Sequence, residues 1–329
     1  LAGLSAEEIT AQRDRLISDF YAYNEHFLLY ADQFEKLQRD LPEAEFAPEV
    51  RKRWTADDSP TPEGVLGKHW VGDLGLECEA TLSSEQGELL LDLVEGGSHY
   101  SCRIDVATGL AQLSIDDGKT EFVGENGEKS QFPQAQTTLK GSGTYRLRLT
   151  NCDDQMLLWV NGRVASFNGP TTYANRANCV PQWSATDPGD LAPAGIGSKG
   201  AALTVRGLRI FRDVYYIASE GTPNDDYDLD YSARNNFETE IIRVFNDPQT
   251  WKTTALFGAR RHVSVALGKD QFFPLGDNSP ESADARSWNA DPYVKREMLI
   301  GKALLIYWPH AWNRPVPFTP NIERMGVIH

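Results

Sequence analysis

The sequence predicts a mainly β protein, with an antiparallel β-sandwich, one long N-terminal helix and a small C-terminal β domain. Apolar and polar residues alternate through much of residues 54–217, as in the run Leu74–Leu82, where Glu77 and Glu79 lie on the face opposite to the apolar residues. Gly, Asn and Asp turns separate many such short strands, and no helical pattern interrupts them. Half-apolar strands need a second sheet to cover them, which favours a two-sheet sandwich.

The N-terminal helix is predicted over residues 1–53. Ser5 and Glu8 have the spacing of a capping box, and apolar residues then follow at intervals of four and three. We expect this apolar stripe to pack on the protein's own domain rather than in a dimeric coiled coil, because it is short and rich in aromatic residues. The stripe consists of Leu16, Phe20, Tyr23, Phe27, Tyr30, Phe34, Leu37 and Leu41.

The sandwich is predicted over residues 54–217, and Asn161-Gly162 within it has the composition of a tight hairpin turn. An acidic linker over 218–246 and a C-terminal domain over 247–329 follow. This last domain is expected to begin with a helix near Pro248–Phe257 and a strand at His262–Leu267. The sandwich strands are expected at Leu74–Leu82, Glu88–Glu95, Tyr100–Val106, Leu110–Ile115, Thr144–Thr150, Met156–Val160, Arg163–Phe167 and Ala201–Phe211.

Composition excludes several classes of function. The net charge of -15 over 329 residues makes nucleic acid an unsuitable partner, because an acidic surface repels phosphates. No apolar run approaches the roughly 18 residues that span a bilayer. The sequence starts at Leu1 without methionine or a signal-peptide pattern, so we expect it to be a soluble part of a longer protein.

The four cysteines and one acidic stretch are the residues of this sequence with the chemistry for disulfide or metal sites. Cys78 and Cys102 lie on predicted inward faces and fit small buried thiols, whereas Cys152 and Cys179 lie in turn-like segments where a disulfide is possible. None of the four has metal-ligand spacing. The acidic residues of 225–230 lack the spacing of a calcium loop, so a solvated linker is favoured. No metal or cofactor is predicted.

Part of the predicted sandwich resembles a known fold family. The run Gly143–Leu149 followed by Leu157–Gly162 is similar to the concanavalin-like, laminin-G-like sandwiches of carbohydrate-binding and adhesive modules. This resemblance implies a glycan or a protein as a partner of the sandwich. Trp159 and Trp183 have side chains able to stack on a sugar ring, but Trp159 lies in an apolar strand, where we expect it to pack in the core.

The segment Phe272–Arg286 has the most specific pattern in the chain. A hydrophobic run enters Gly-Asp-Asn, and Ser, Asp and Arg follow at fixed offsets. This pattern resembles the last conserved box of the type I signal peptidases, which are membrane-bound serine proteases with a serine and lysine dyad. The run Leu299–Trp308 is similar to the closing strand of that family.

The resemblance implies supporting catalytic roles for Ser282, Asp284 and Arg286. Ser282 would orient the amine of the lysine base, which must be neutral to accept a proton. Asp284 and Arg286 would form the ion pair that holds the loop in shape. The alternative is a polar hairpin tip with a surface ion pair.

Three further residues of this box would shape its turn. Gly276 would let the backbone pass close to the catalytic groups, and Asp277 and Asn278 would form hydrogen bonds within the turn. Ala285 replaces a serine that is usual in the family, while Lys269 precedes the box and is not the base.

The resemblance is incomplete, because the 329 residues contain neither the family's Ser-Met-x-Pro nucleophile box nor the strand with the base lysine. Two hypotheses follow. The chain is the extracytoplasmic, periplasmic portion of a signal peptidase I-like enzyme that cleaves the signal peptides of exported preproteins, is inactive by itself, and attaches to the membrane through a region absent here. Alternatively, it is a glycan- or protein-binding sandwich fused to a peptidase remnant that no longer cuts.

Overall fold

The computed structural model describes residues 16–20, 66–174, 179–218, 241, 244–245, 247–261, 263–276, 279, 282–288, 290–306 and 325–327. The described strands are β1 (Ser18–Phe20), β2 (Leu66–Trp70), β3 (Leu74–Leu82), β4 (Glu88–Glu95), β5 (Ser98–Asp105), β6 (Leu110–Ile115), β7 (Phe122–Val123), β8 (Lys129–Ser130), β9 (Gln134–Gln136), β10 (Gly143–Cys152), β11 (Gln155–Val160), β12 (Arg163–Val164), β13 (Ala194–Lys199), β14 (Leu203–Arg212), β15 (Gln271–Phe272), β16 (Val294–Lys295), β17 (Leu305–Ile306) and β18 (Gly326–Val327). Short 3-10 turns cover Asp116–Gly118, Gly189–Leu191, Pro248–Thr250, Phe257–Ala259, Ala285–Ser287 and Arg296–Met298.

Two five-stranded antiparallel sheets form a β-sandwich, which confirms the predicted fold class. One sheet has the order β12-β11-β10-β3-β14 and the other the order β13-β4-β5-β6-β9. Their inward side chains share one buried core. In β3, Leu74, Leu76 and Cys78 are at most 2% exposed, whereas Glu79 points outward and is exposed. The alternation in the sequence therefore matches the two faces of this sheet.

The hairpin between β11 and β12 has the turn that its sequence predicts. Asn161 and Gly162 both have positive φ, at 53° and 77°. A two-residue turn with two positive φ angles suits the right-handed twist of the paired strands, and Asn-Gly tolerates it best. The turn also holds β10, because the Asn161 side chain accepts a hydrogen bond of 2.9 Å from the Arg146 N–H.

The predicted N-terminal helix is wrong where the structure describes it. Residues Ser18–Phe20 form a strand paired with β2 instead. Asp19 is buried and accepts hydrogen bonds from the backbone N–H of His69 at 2.9 Å and from its ring Nδ1 at 2.7 Å. These partners are 50 residues away in sequence, so a local helical pattern could not reveal them. The remainder of the predicted helix lies outside the described residues.

Trp159 corrects a second prediction, because it lies on the outer face of its sheet and not in the core. Met156, Leu158 and Val160 are buried, whereas Trp159 is half-buried next to Arg148. An all-apolar strand hides its alternation, so the sequence did not indicate which face Trp159 would take. The glycine-containing strand β13 was also missed, since glycine is uncommon in strands.

The segment after the sandwich has less regular structure than predicted. Two 3-10 turns, Pro248–Thr250 and Phe257–Ala259, replace the helix near Pro248–Phe257. Asp247 caps the first turn by accepting a hydrogen bond from Gln249 N. A helix of only about ten residues has little stability of its own, because its first turn is costly to form. Residues 263–268 belong to no described strand, so the strand predicted at His262–Leu267 is not formed there.

The described residues divide into two compact units. The first contains the described residues of 16–19, 66–215 and 241–260, while the second contains Phe20, 216–218 and the described residues from Arg261 onward. The predicted boundary at residue 247 stays a prediction. Throughout the described parts, no helix combines the length and hydrophobicity that crossing a bilayer requires.

Two cysteines of the sandwich, Cys78 and Cys102, are buried thiols. Cys78 and Cys102 are at most 2% exposed, and burial raises the pKa of their thiols to about 11 and about 12. Cys152 is also a free thiol, so the disulfide considered for it is not formed. High thiol pKa values make these groups poor nucleophiles at neutral pH. The acidic residues 225–230 lie outside the described residues.

Candidate functional site

The ion pair predicted between Asp284 and Arg286 is present in the second unit. Arg286 Nε donates to Asp284 Oδ1 and Arg286 NH2 donates to Asp284 Oδ2, both at 2.8 Å. The two side chains are only 7% and 10% exposed. Asp284 also caps the turn Ala285–Ser287 by accepting a hydrogen bond of 3.2 Å from Arg286 N. A buried, bidentate pair of this kind differs from the surface ion pair of the alternative reading.

Arg286 uses all five of its N–H donors. Besides the two bonds to Asp284, NH1 donates to Ile217 O at 3.1 Å and to Ser279 Oγ at 3.0 Å, and NH2 donates to Ser279 O at 2.8 Å. Its guanidinium lies 5.3 Å from the ring centroid of Tyr216. One side chain thus joins its own loop, at Ser279 and Asp284, to Ile217, which lies 69 residues away in sequence.

Ser279 belongs to this network, although sequence reasoning did not single it out. Its side chain is 3% exposed, and its hydroxyl accepts a hydrogen bond of 3.0 Å from Ile217 N as well as the one from Arg286. A serine within a polar turn is common, so the sequence offered no signal for a buried role. The contact with Ile217 depends on a segment 62 residues away.

Asp284 stays ionised at neutral pH. Burial by itself would raise the pKa of its carboxyl group. Hydrogen bonds from Arg286 and from the backbone N–H of Gly276, together with the positive charge of Arg286, outweigh burial and hold the pKa below its ordinary value. The pair is therefore a fixed charged structure and not a proton carrier.

Gly276 and Ser282 lie against each other beside the ion pair. Gly276 N donates to Asp284 Oδ2 at 2.9 Å. A Cβ atom on Gly276 would lie 2.6 Å from Ser282 Cβ and would overlap the Ser282 hydroxyl. Ser282 is half-buried. The structure thus brings together Gly276, Ser282, Asp284 and Arg286, while Asp277 and Asn278 lie outside the described residues.

Replacing Gly276 with alanine should displace Ser282 and lower the stability of the second unit. The added methyl group has no space unless the loop moves, and overpacking of this kind costs about 1–3 kcal/mol. Denaturant unfolding of Gly276→Ala measures the loss. Gly301→Ala is the matched control, because a Cβ atom there meets nothing within 4 Å. Equal unfolding midpoints for Gly276→Ala and Gly301→Ala would show that the close approach of Gly276 to Ser282 does not contribute to stability.

An apolar groove of about 540 Å³ borders the ion pair. Leu267, Leu275 and Trp288 line it and are 36–45% exposed, and Arg286 lies on its wall. The segment 263–268 contributes Val263 and Val265 to the same groove. Elsewhere in the described ranges, no three His, Cys, Asp or Glu side chains are grouped so that they could hold a metal ion.

Comparisons with known proteins find a family match and a curated relative for part of the chain. The family model described as "Signal peptidase, peptidase S26" matches residues 204–308, which include the whole of 276–286. Signal peptidase I of Pseudomonas aeruginosa is 36% identical over 67 residues, which cover 18% of this chain and 22% of that protein. The chain therefore spans about a fifth of the curated relative that it matches. The present chain thus contains a signal-peptidase-like region.

Two of the solved structures that resemble the chain match less than half of it. Carbohydrate-binding module CBM66 from Bacillus subtilis shares 13% identity, covering 42% of this chain and 74% of that chain, with a TM-score of 0.27. A tetrameric galectin from the ball sponge Cinachyrella sp. shares 15% identity, covering 43% and 91%, with a TM-score of 0.25.

Proposed function

We propose that this chain is the extracytoplasmic portion of a signal peptidase I-like membrane serine endopeptidase. In this proposal the loop 276–286 supports the catalytic base, while the nucleophile and the base belong to a part of the protein outside these 329 residues. The observation that carries the proposal is the buried Asp284–Arg286 pair with Gly276 and Ser282 packed beside it. The match of 204–308 to the signal peptidase family supports it.

The chemistry assigns each residue a separate task. A neutral lysine amine would take the proton of the nucleophilic serine as that serine attacks the peptide carbonyl. Ser282 would accept a hydrogen bond from the amine and so aim its lone pair at the serine. Asp284 and Arg286 would act as positioning residues, because they hold the backbone on which Ser282 is mounted.

The substrates in this proposal are the signal peptides of exported preproteins. The groove bordered by Arg286 would receive apolar residues of an extended peptide. The segment 263–268 beside it belongs to no described strand and would offer the peptide a backbone edge for strand addition. The periplasmic side of the cytoplasmic membrane is the location that this activity implies.

The 329-residue chain by itself should not cleave a signal-peptide substrate, whereas the complete protein should. The first expectation follows from the absence of a Ser-Met-x-Pro box in this sequence, and the second from the proposal that the nucleophile and the base lie outside it. In the complete protein, Ser282→Ala should lower kcat about a hundredfold with little change in KM, because the base is misaligned. The exposed Ser83 of the sandwich, changed to alanine, is the control and should leave kcat unchanged. Turnover by the isolated chain that depends on one of its own serines would refute the proposal.

The alternative is a binding module fused to a non-catalytic peptidase remnant. The encoded sequence that precedes Leu1 separates the two possibilities. An apolar helix, a Ser-Met-x-Pro box and a strand carrying Lys-Arg would support the peptidase. A sequence without them would leave only the binding module.

A further inference from the structure

The outer face of the sheet containing β3, β10 and β14 is rich in arginine, although the whole chain is acidic. The register places Glu77 opposite Arg148 and Arg209, and Glu79 opposite Arg146 and Arg206. Four arginines thus oppose two glutamates on one face, in a chain with a net charge of -15. Such a local excess of positive charge attracts anions to this face.

Glu77 holds two of these arginines in fixed positions. It is 5% exposed, and its two carboxylate oxygens accept from different partners: Arg146 NH2 reaches Oε1 at 2.9 Å and Arg148 Nε reaches Oε2 at 2.9 Å. Burial by itself would raise the pKa of Glu77, but the hydrogen bonds from both arginines lower it. Glu77 therefore stays charged, and the two guanidinium groups need little further ordering to bind a ligand.

Both guanidinium groups keep donors for a ligand. Across the described residues, the side-chain hydrogen bonds of Arg146 and Arg148 all go to Glu77. Each group therefore has further N–H donors, and the side chains are 66% and 42% exposed. Arginine forks of this kind bind carboxylate and phosphate oxygens in pairs.

An aromatic ring adjoins the two arginines. Trp159 is half-buried, and the guanidinium of Arg148 lies 5.9 Å from its ring centroid and 5.6 Å from that of Phe211. A pocket of about 230 Å³ is lined by Trp159, by Gly162 and by the three charged side chains Glu77, Arg146 and Arg148. Nothing lies within 4 Å of a Cβ atom placed on Gly162, so that side of the pocket is open.

We propose that this pocket binds an acidic saccharide, meaning a sugar ring that carries a carboxylate or a phosphate. The indole of Trp159 would stack on the ring, while Arg146 and Arg148 would take the anionic group. A peptide that adds as a strand does not fit, because β3 and β10 are each paired on both sides and offer no free backbone edge. The site is independent of the proposed peptidase activity.

The proposal can be tested by probing a glycan array with the 329-residue chain. The array should contain carboxylated and phosphorylated oligosaccharides together with the neutral oligosaccharides from which they derive. We expect binding to acidic glycans, with neutral parents at least about tenfold weaker, and a loss of affinity with rising salt. Calorimetric titration of the best acidic glycan should give Kd values about tenfold or more higher for Trp159→Ala and for Arg146→Ala. Trp183→Ala and Arg103→Ala, which change a loop tryptophan and an arginine of the other sheet, should bind like the unchanged protein.

Three results would overturn the proposal. The first is an array without binding to any acidic glycan, and the second is equal loss of affinity in the two control variants. The third is binding to inorganic phosphate or to phosphatidylglycerol vesicles as tight as to the glycan and insensitive to Trp159→Ala, because charge alone would then explain it. Arg146 is mostly exposed, so Arg146→Ala tests the site even if Trp159→Ala does not fold.

Discussion

Arg286→Ala should lower the free energy of unfolding of the second unit by about 3–5 kcal/mol. The change leaves the Asp284 carboxylate buried and without its bidentate partner, and breaking a buried pair on one side costs this much. It also removes the N–H groups that donate hydrogen bonds to Ser279 O and Ile217 O. Denaturant unfolding of the 329-residue chain measures the loss.

The penalty for Arg286→Ala should become smaller in acid. In the folded protein the pKa of Asp284 lies below its ordinary value, so the pair stabilises the fold above that ordinary value and loses its effect as the pH falls through the folded pKa. Once Asp284 is protonated in both proteins, only the lost hydrogen bonds to Ser279 and Ile217 should separate them. Unfolding curves at neutral and at strongly acidic pH show the difference.

Arg296→Ala is the matched control within the same unit. Arg296 pairs with Asp270 at 2.5 Å, but the two side chains are 70% and 44% exposed. An exposed pair is worth well under about 1 kcal/mol, because water competes for both charges. If Arg286→Ala and Arg296→Ala shift the unfolding midpoint equally, the orienting-loop interpretation fails and the polar hairpin tip is favoured.

In the complete protein, Arg286→Ala should also lower kcat about a hundredfold while changing KM less. A displaced Ser282 would misalign the base and weaken the transition state, whereas the apolar side chains that would bind the peptide, Leu267, Leu275 and Trp288, are unchanged. Arg296→Ala should leave both constants unchanged. A rise in KM with unchanged kcat would mean that Arg286 serves substrate binding and not the base.

The stability of the sandwich should fall as the pH rises from about 4.5 to about 7, and Glu95→Gln should remove much of this fall. Burial raises the pKa of Glu95 from its ordinary 4.5 to about 7, and repulsion from Asp73 and Asp190 adds to the shift. At pH 8 the substitution should stabilise the sandwich by an amount on the order of 3 kcal/mol.

The direction follows from proton binding. Between the ordinary and the folded pKa, the folded protein holds a proton on Glu95 that the unfolded chain has released. Stability is therefore fully present below pH 4.5 and is lost as the pH rises through 7. Asp73, whose pKa burial raises to about 6, contributes in the same direction. A glutamine can still accept the hydrogen bond that Asn151 donates to Glu95 at 3.0 Å.

Thermal unfolding of the sandwich at pH 4 and pH 8 checks this expectation. The difference between Glu95→Gln and the unchanged protein should be large at pH 8 and nearly absent at pH 4. Glu125→Gln, which changes an exposed glutamate of the same unit, should give no difference at either pH. A Glu95→Gln variant that is less stable at pH 8 would contradict the account.

The sequence by itself determined the features that depend on neighbouring residues. Alternation of apolar and polar residues predicted β3 and β4 with their observed bounds, because side chains of a strand alternate between faces. Asn161-Gly162 predicted its turn, because few residues accept two positive φ angles. The offset of two between Asp284 and Arg286 predicted an ion pair that a short loop could close.

Only the tertiary structure decided the features that depend on distant partners. The pairing of β1 with β2 replaced a helical pattern, because buried His69 supplies hydrogen bonds to Asp19. The outward position of Trp159 depends on which face of its strand meets the second sheet. Burial of the Arg286 network depends on Ile217, which no local pattern connects to the loop. Contacts across long sequence separations follow from packing and hydrogen-bond satisfaction of the whole fold, and short-range periodicity carries no information about them.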